Sequence, residues 1–383
     1  MQGEKLEQIH NFELIIDEAL LSDLKARLCA TRWPDKETVK DWSQGVPLSY
    51  LRQIIDHWRD KYDFHRLSQQ INEWPNFTTN FDGLDIHFMH IRSSNPNARP
   101  LILTHGWPGS VVEFLRVIEP LTEPQKFGGK SADAFHLVIP SLPGYGFSGQ
   151  PKQAGWGVEK IGDTWAKLMR RLGYDWYLAQ GGDWGSAVTY CIARQDHDHC
   201  RAIHLNLVFV PPDESATDLN DFEISALKSL KFYEDWDSGY AKQQSTRPQS
   251  LGYGLADSPT AQAAWIIEKF YAWTDCDGNP ENVISRDEIL DNIMVYWVSN
   301  TGASSARLYW ESIDIFKEIS EVKVPMGASI FPKEIIRTSR RFAERVYTNI
   351  IYWNELNKGG HFAAFEEPQL FVEEVQNCFR EIS

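Results

Sequence analysis

From about residue 84 onward, short apolar segments alternate with amphipathic ones, and this alternation constrains the fold more than any other feature of the sequence. Short apolar runs bounded by turn residues predict strands, and segment 158–172, with apolar residues at helical spacing, predicts a helix. Near-continuous apolar strands separated by helices favour a mostly parallel sheet covered on both faces. The predicted strands are Ile86–Ile91, Leu101–Thr104, Phe135–Ile139, Trp176–Ala179, Ile203–Leu207, Val324–Phe331 and Ile350–Trp353.

Helical regions precede and interrupt this alternation. A helix is predicted over 17–30 with Asp17 as its N-cap, and the chain is predicted to stay helical up to about residue 80. Residues 211–320 are polar, aromatic and helical in pattern, and a final helix is predicted to begin at Pro368. A helical insertion of this kind forms a lid over the carboxyl ends of the strands, where open α/β sheets bind ligands. We therefore divide the chain into an N-terminal segment (1–95), a first core part (96–210), a lid (211–320) and a second core part (321–383).

Composition narrows the classes of partner. The net charge of −15 disfavours nucleic acid and anionic lipid surfaces. No segment has the apolar run of a signal peptide or the roughly 20 apolar residues of a membrane span, so we expect no membrane anchor. The five cysteines are widely spaced without a Cys-x-x-Cys pair, which indicates free thiols in a reducing compartment. We expect a cytoplasmic protein, and a homodimer is left open.

The segment from Trp176 to Ser186 is the most informative part of the sequence. An apolar strand runs into Gly181-Gly182-Asp183-Trp184-Gly185, and a helix follows. This context is typical of the nucleophile elbow of α/β hydrolases, where small residues permit a strained turn. Here the central residue is Asp183. A carboxylate alkylated at carbon becomes an ester that water can cleave, so an Asp nucleophile indicates displacement at saturated carbon, in an epoxide or a haloalkane.

Two backbone N–H groups are predicted to form the oxyanion hole. The strand at 101–104 ends in the glycine turn His105-Gly-Trp-Pro-Gly-Ser110. In this fold the loop after the third strand donates one N–H, and the residue after the nucleophile donates the other. We assign these groups to Trp107 and Trp184.

The base and its orienting acid are expected after the lid, because the chain order in this fold is nucleophile, acid, histidine. His361 is the only histidine beyond residue 320, and the double glycine before it permits a sharp turn. The acid should follow the preceding strand, which favours Glu334. A carboxylate there would orient the imidazole and stabilise its protonated form. Weaker alternatives for the acid are Glu311, Asp314 and Asp275.

Five motifs together resemble the epoxide hydrolases of the microsomal and juvenile-hormone type, over nearly the whole chain. The resemblance implies an α/β-hydrolase fold with a mostly parallel central sheet, an inserted helical lid and an N-terminal extension that wraps the core. It also implies hydrolysis of a small apolar epoxide to a vicinal diol, with no cofactor and no metal. The motifs are Thr31-Arg-Trp-Pro34, His105-Gly-Trp-Pro-Gly-Ser110, Pro140-Ser-Leu-Pro-Gly-Tyr-Gly-Phe-Ser148, Gln180-Gly-Gly-Asp-Trp-Gly185 and Gly359-Gly-His-Phe-Ala-Ala364.

The same resemblance implies two lid tyrosines that donate a proton to the epoxide oxygen. The matching positions are Tyr240 and Tyr309. A phenol, with an ordinary pKa of about 10, is a competent acid toward the much more basic alkoxide formed by ring opening. The lid aromatics Trp273, Trp297 and Trp310 are candidate pocket walls, with core packing as the alternative.

Two other functions remain open at this point. A haloalkane or haloacid dehalogenase would use the same Asp183–His361–acid set but would need halide-holding N–H groups in place of the tyrosine hydroxyls. A non-catalytic receptor for small ligands on the same fold would usually have lost one member of that set. Chloride or fluoride release without diol would indicate the first, and ligand binding without turnover the second.

Overall fold

Nine strands form one sheet in the computed structural model, which describes residues 8–380 except 212, 214 and 318, together with Ile382. Residues 1–7, 381 and 383 of the two predicted terminal segments therefore lie outside the described part. The strands are β1 (His10–Asn11), β2 (Asn76–Phe81), β3 (Leu84–Ile91), β4 (Arg99–Thr104), β5 (Phe135–Pro140), β6 (Tyr177–Gly181), β7 (Cys200–Leu205), β8 (Met326–Ile330) and β9 (Ile350–Glu355).

The order of the strands is β1-β2-β3-β5-β4-β6-β7-β8-β9. From β5 to β9 every neighbouring pair is parallel, whereas β1, β2 and β3 pair antiparallel and β3 joins β5 antiparallel. The mostly parallel sheet predicted from the alternation is confirmed. Leu101, Ile102 and Leu103 on β4 have no exposed surface, as expected of a central strand covered on both faces.

The N-terminal region differs from its prediction, because β1 and β2 lie where only helices were expected. Strand β2 has the sequence Asn-Phe-Thr-Thr-Asn-Phe, whose polar residues hide the alternation typical of a strand. A two-residue turn at Asp82-Gly83 joins β2 to β3, and both residues have positive φ, 52° and 81°. Asp-Gly is the favoured sequence for such a hairpin turn, so the sequence did contain a signal for this strand pair.

Fifteen helices accompany the sheet in the described part of the chain. The predicted first helix is confirmed, and the Asp17 side chain accepts a hydrogen bond from the N–H of Ala19 as its N-cap. The helices are α1 (Glu18–Cys29), α2 (Leu48–Asp60), α3 (Arg66–Asn72), α4 (Ile118–Thr122), α5 (Val158–Arg171), α6 (Trp184–Gln195), α7 (Asp221–Phe232), α8 (Gly239–Thr246), α9 (Pro248–Asp257), α10 (Pro259–Trp273), α11 (Arg286–Val298), α12 (Gly302–Ser312), α13 (Arg340–Ala343), α14 (Ala363–Glu366) and α15 (Pro368–Phe379).

Helices α7 to α12 all lie between β7 and β8 in the chain, as predicted for an inserted lid. Residues of the N-terminal region hold them through hydrogen bonds and ring stacking. The buried carboxylate of Asp291, on α11, accepts hydrogen bonds from the Tyr62 hydroxyl (2.7 Å) and the Arg66 guanidinium (2.8 Å). Trp42 stacks on Tyr271 with ring centroids 4.1 Å apart. Among the described helices, none combines the length and the apolar character that crossing a bilayer requires.

Candidate active site

Asp183 occupies a sharp turn between β6 and α6. Its φ of 49° and ψ of −129° lie in a region that residues with a side chain rarely adopt. The turn also brings backbones together: a Cβ added at Gly185 would lie 1.9 Å from the carbonyl oxygen of Thr104, and one added at Gly181 would lie 2.1 Å from the carbonyl oxygen of Gly185. These two glycines are therefore required for the strained turn that exposes the Asp183 carboxylate at the end of the sheet.

The two oxygens of Asp183 face different partners. Oδ1 accepts a hydrogen bond of 2.7 Å from the backbone N–H of Trp107, and Oδ2 lies 3.3 Å from Nε2 of His361. A Cβ added at Gly106 would lie 2.1 Å from Oδ1, so only glycine lets the loop after β4 approach the carboxylate. Trp184, the other predicted oxyanion donor, is the first residue of α6 and directly follows Asp183.

His361 and Glu334 lie side by side, although 27 residues separate them in the chain. Nδ1 of His361 is 2.6 Å from Oε1 of Glu334, and both residues are almost fully buried. Glu334 follows β8 as predicted. The alternative acids Glu311 and Asp275 instead accept hydrogen bonds from backbone N–H groups, those of Gly155 and Gly359. The structure therefore brings Asp183, His361 and Glu334 together in one line.

Two opposing effects act on the pKa of His361. Burial disfavours its imidazolium form, but the Glu334 and Asp183 carboxylates on either side outweigh burial and raise the pKa of His361 well above its usual value. The resting site therefore holds an imidazolium between two carboxylates. Loss of the charge on Asp183 would remove one of these two partners and lower the pKa of His361 again.

Both predicted lid tyrosines lie against the loop that contacts Asp183. The ring of Tyr240 stacks on Trp107 at 4.9 Å, and the ring of Tyr309 meets Trp184 edge-on at 4.8 Å. Burial, together with the nearby Asp183 carboxylate, raises the pKa of both phenols well above 10, so they stay protonated near neutral pH. The buried Tyr309 hydroxyl has no hydrogen-bond partner among the described residues.

A cavity of about 320 Å³ opens beside Asp183, Tyr240 and Tyr309. The remainder of its wall is mainly apolar, and this volume lies at the small end of the range for ligand pockets, about 300–1,000 Å³. A small apolar molecule fits this chemistry, with the carboxylate and the phenols at one end. The apolar wall residues are Trp184, Phe209, Val210, Pro211, Leu230, Ala241, Ile313, Ile319, Ile335 and Ile336.

The structure corrects the predicted tryptophan walls. Trp310 is 52% exposed and lines a separate groove, because consecutive residues on α12 point in different directions and Tyr309 takes the inward one. Trp297 is buried, but it is not among the residues that line the cavity. Trp273 lies closer to the site, 5.1 Å from Tyr240 and 5.0 Å from His361 between ring centroids, and lines an adjoining groove with Glu334.

The sequence analysis missed two residues that contact Tyr240. The Tyr233 hydroxyl lies 3.0 Å from the Tyr240 hydroxyl and lines the cavity, at the start of a π-helical turn, Tyr233–Asp237. The ammonium group of Lys269 is buried and lies 4.5 Å from the centroid of the Tyr240 ring. A lysine in the apolar stretch Trp265–Trp273 was the available signal for the second. The described residues contain no group of three or more histidine, cysteine or acidic side chains arranged for a metal ion.

Two sequence families match this chain. The family described as "Epoxide hydrolase N terminus" matches residues 9–114, and the family described as "alpha/beta hydrolase fold" matches residues 99–249. The second match includes the elbow and Asp183. The first covers α1 to α3, the strands β1 to β4 and the loop that contains Trp107.

Named relatives and solved structures agree over nearly the whole chain. A putative epoxide hydrolase of Stigmatella aurantiaca is 51% identical over 97% of this chain and 84% of its own length. Epoxide hydrolase 1 of Sus scrofa is 34% identical over 97% of this chain and 88% of its own. The crystal structure of juvenile hormone epoxide hydrolase from the silkworm Bombyx mori superposes with a TM-score of 0.91 at 29% identity, covering 98% of this chain and 95% of that one.

A second solved structure gives the same result. The structure of Aspergillus niger epoxide hydrolase superposes with a TM-score of 0.88 at 29% identity, covering 98% of this chain and 97% of that one. The sequence families, the full-length relatives and the fold therefore agree with the carboxylate–imidazole–carboxylate geometry at the end of the sheet. The chain belongs to the epoxide hydrolases, enzymes of the α/β-hydrolase fold.

Proposed function

We propose that this enzyme converts a small apolar epoxide to a vicinal diol through a covalent ester on Asp183. The observation that carries the proposal is the pair of contacts at Asp183: one carboxylate oxygen is 2.7 Å from a backbone N–H and the other 3.3 Å from His361. One side of the carboxylate is thus held for an oxyanion, while the other is close to a base. The proposed chemistry has two steps, alkylation and hydrolysis.

In the alkylation step, Asp183 Oδ2 attacks a ring carbon of the epoxide. The carbon–oxygen bond of the ring breaks, and the departing oxygen takes a proton from Tyr240 or Tyr309. The tyrosinate then recovers a proton from the His361 imidazolium, which leaves a neutral imidazole. Both phenols line the cavity that reaches Asp183, and both are protonated near neutral pH. The product of this step is a hydroxyalkyl ester in which Oδ1, already bound to the Trp107 N–H, has become the carbonyl oxygen.

In the hydrolysis step, His361 removes a proton from water, and the hydroxide attacks the carbonyl carbon of the ester. The resulting oxyanion develops on Oδ1, next to the N–H groups of Trp107 and Trp184. The ester bond then breaks, the leaving alkoxide takes the proton of the re-formed Asp183 carboxyl group, and the diol leaves with one oxygen from the original carboxylate. Alkylation prepares this step, because it removes the negative charge of Asp183, one of the two carboxylates that raise the pKa of His361.

The lid chemistry favours an epoxide over a haloalkane. A leaving halide needs N–H groups to hold it but no proton, whereas a leaving alkoxide needs an acid. Here two buried phenols line the cavity, and the described part of its wall is otherwise mainly apolar. A hydroxyl donor at this place matches the oxygen of an epoxide.

Heavy-oxygen water provides the test of the covalent route. In a single turnover with enzyme in excess, we expect the label to enter the Asp183 carboxylate, while the diol receives an unlabelled oxygen from the protein. Mass spectrometry of the peptide that contains Asp183 measures the label. Label found in the diol alone, with none in the protein, would require direct attack by water and would rule out the ester.

Removal of the lid phenols is expected to slow alkylation selectively. Tyr240→Phe or Tyr309→Phe should each slow it by about 10-fold or more, and the double variant by about 10³-fold, within the range of general-acid catalysis. Quenching of tryptophan fluorescence at Trp107 and Trp184 can follow the rate. Tyr253→Phe, which changes a 69% exposed tyrosine on α9, serves as the control. A double variant that alkylates at the wild-type rate would exclude both phenols as acids.

We also propose a cytoplasmic location for the enzyme. The five cysteines are all unpaired, and four of them are buried, which suits a reducing compartment. The proposal of a homodimer rests on no contact in this structure and is open to measurement by light scattering.

A further inference from the structure

Asp183 lies between two cavities. One is the large apolar cavity already described, and the other is a chamber of about 20 Å³ on the His361 side. A space of this size holds about one water molecule. We call it the small chamber. Its polar wall residues are Thr104, His105, Glu113, Gln180, Asp183, Asn206 and His361.

Glu113 is the acidic residue of this wall that the two-step mechanism does not use. It lies on a short 3₁₀ turn, Val111–Phe114, directly after the loop that carries the Trp107 N–H. Its carboxyl group bends back over Gly109, so closely that a Cβ added at Gly109 would lie 1.3 Å from Glu113 Oε1. The glycine therefore leaves the space that the carboxyl group needs to face the small chamber beside Asp183 and His361.

The turn that carries Glu113 is fixed to the lid. The Ser110 hydroxyl donates to the Asn292 side chain (2.8 Å), which in turn donates to the carbonyl oxygen of Pro108 (2.8 Å). The Tyr296 hydroxyl donates to the carbonyl oxygen of Gly109 (2.6 Å). These bonds fix the turn from which the Glu113 side chain extends, and a group that orients a reactant needs such a fixed base.

The other polar groups of the chamber form an incomplete network. The Gln180 amide donates to Asn206 Oδ1 at 2.6 Å, but the buried Oε1 of Gln180 has no partner among the described residues. The site already contains the carboxylates of Asp183 and Glu334 around one imidazole. Burial raises the pKa of Glu113 to about 8, against the attraction of His361, so at neutral pH this carboxyl group can both donate and accept a hydrogen bond.

From this arrangement we infer that Glu113 binds the water that His361 deprotonates, and so acts in hydrolysis of the ester but not in its formation. The small chamber would supply that water from the side opposite the substrate. This inference rests on the proposed ester at Asp183. It adds a third carboxyl group, with a role separate from those of the nucleophile and of Glu334.

The test compares the rates of the two steps in Glu113→Leu and Glu113→Gln. An aryl epoxide is mixed rapidly with the enzyme, alkylation is followed by tryptophan fluorescence, and the ester is counted by mass spectrometry after quenching. We expect unchanged alkylation in both variants. Hydrolysis should slow by about 100-fold in Glu113→Leu, the lower end of the effects of proton-transfer groups, and far less in Glu113→Gln, whose amide can still bind water. Glu119→Gln, an exposed carboxylate of the next helix, is the control.

Two outcomes would overturn the inference. One is hydrolysis at the wild-type rate in Glu113→Leu. The other is equal slowing of both steps, since displacement of the loop would also move the Trp107 N–H that holds Asp183 during alkylation. If the leucine variant does not fold, Glu113→Ala, which also removes the water-binding group, gives the same comparison. Failure of the proposed function itself would look different, because the wild-type enzyme would then form no ester at all.

Discussion

Diol formation is expected to fall by about 10⁴-fold or more in Asp183→Ala, because the variant lacks the only carboxylate placed between the substrate cavity and His361 in the described structure. No covalent adduct should form with any epoxide. Product analysis by chromatography and intact-mass measurement of the protein check the two parts separately. The same loss is expected across a panel of aryl and alkyl epoxides, since the variant removes the nucleophile and not a specificity contact.

Asp183→Asn provides the stricter version of this experiment. An asparagine side chain has nearly the same shape, and its oxygen can still accept the Trp107 N–H bond, but the neutral amide is not a nucleophile toward an epoxide. Asp198→Ala, which alters an 84% exposed carboxylate beyond α6, is the matched control and should keep full activity. Unchanged diol formation in Asp183→Ala would remove Asp183 from the mechanism. The mass of the asparagine variant must be checked after purification, because conversion back to aspartate would restore activity.

The sequence predicted the positions of Asp183, His361 and Glu334 better than those of the residues that line the pocket, for a physical reason. Asp183 and Glu334 each follow a strand of a parallel sheet, and the carboxyl ends of such strands lie on the same edge. Strand ends can be located from short apolar runs, so residues just beyond them can be placed near each other. His361 was identified from chain order and from the double glycine before it, and the structure brings it to 3.3 Å from Asp183.

The lid could not be placed in the same way. Its helices are amphipathic in more than one direction, since they pack on the core, on the N-terminal helices and around the cavity at once. Tyr240 and Tyr309 were identified only through resemblance. Trp310 was a candidate pocket wall, with core packing as the alternative, although it directly follows Tyr309 and neighbours on a helix are turned by about 100° from each other. The helical period alone therefore argues against placing Tyr309 and Trp310 in the same wall of the cavity.

The contacts of the buried polar groups also could not be predicted from the sequence. Glu113 follows the glycine turn after β4, and nothing in its spacing indicates that its carboxyl group bends over Gly109 toward Asp183. Such a contact depends on the loop conformation after β4, which the tertiary structure fixes through Asn292 and Tyr296 on α11. Ser110 and Asn292 are 182 positions apart, and their hydrogen bond forms only where the lid meets the end of the sheet. Local sequence patterns contain no signal for a contact over that separation.

Replacement of His361 by glutamine is expected to stop the reaction at the ester. Alkylation should persist, because its nucleophile and its phenolic acids remain, while hydrolysis should slow by about 10³- to 10⁴-fold without a base for water. Ester should then accumulate to about one equivalent per enzyme, visible as a mass increase equal to that of the epoxide. A burst without steady turnover is the kinetic sign of such accumulation. The exposed His197→Gln variant should turn over normally.

Glu334→Gln tests how His361, the base, depends on the Glu334 carboxylate. The causes that shift the pKa of His361 give the expected direction of the change in rate. Burial lowers that pKa, while the Glu334 and Asp183 carboxylates raise it. In the ester the charge of Asp183 is absent, so Glu334 alone supports the imidazolium that forms when water is deprotonated. Loss of its charge should therefore slow hydrolysis more than alkylation, and ester should accumulate as in His361→Gln. Equal slowing of both steps by Glu334→Gln would contradict this role, because only the hydrolysis step generates a new imidazolium.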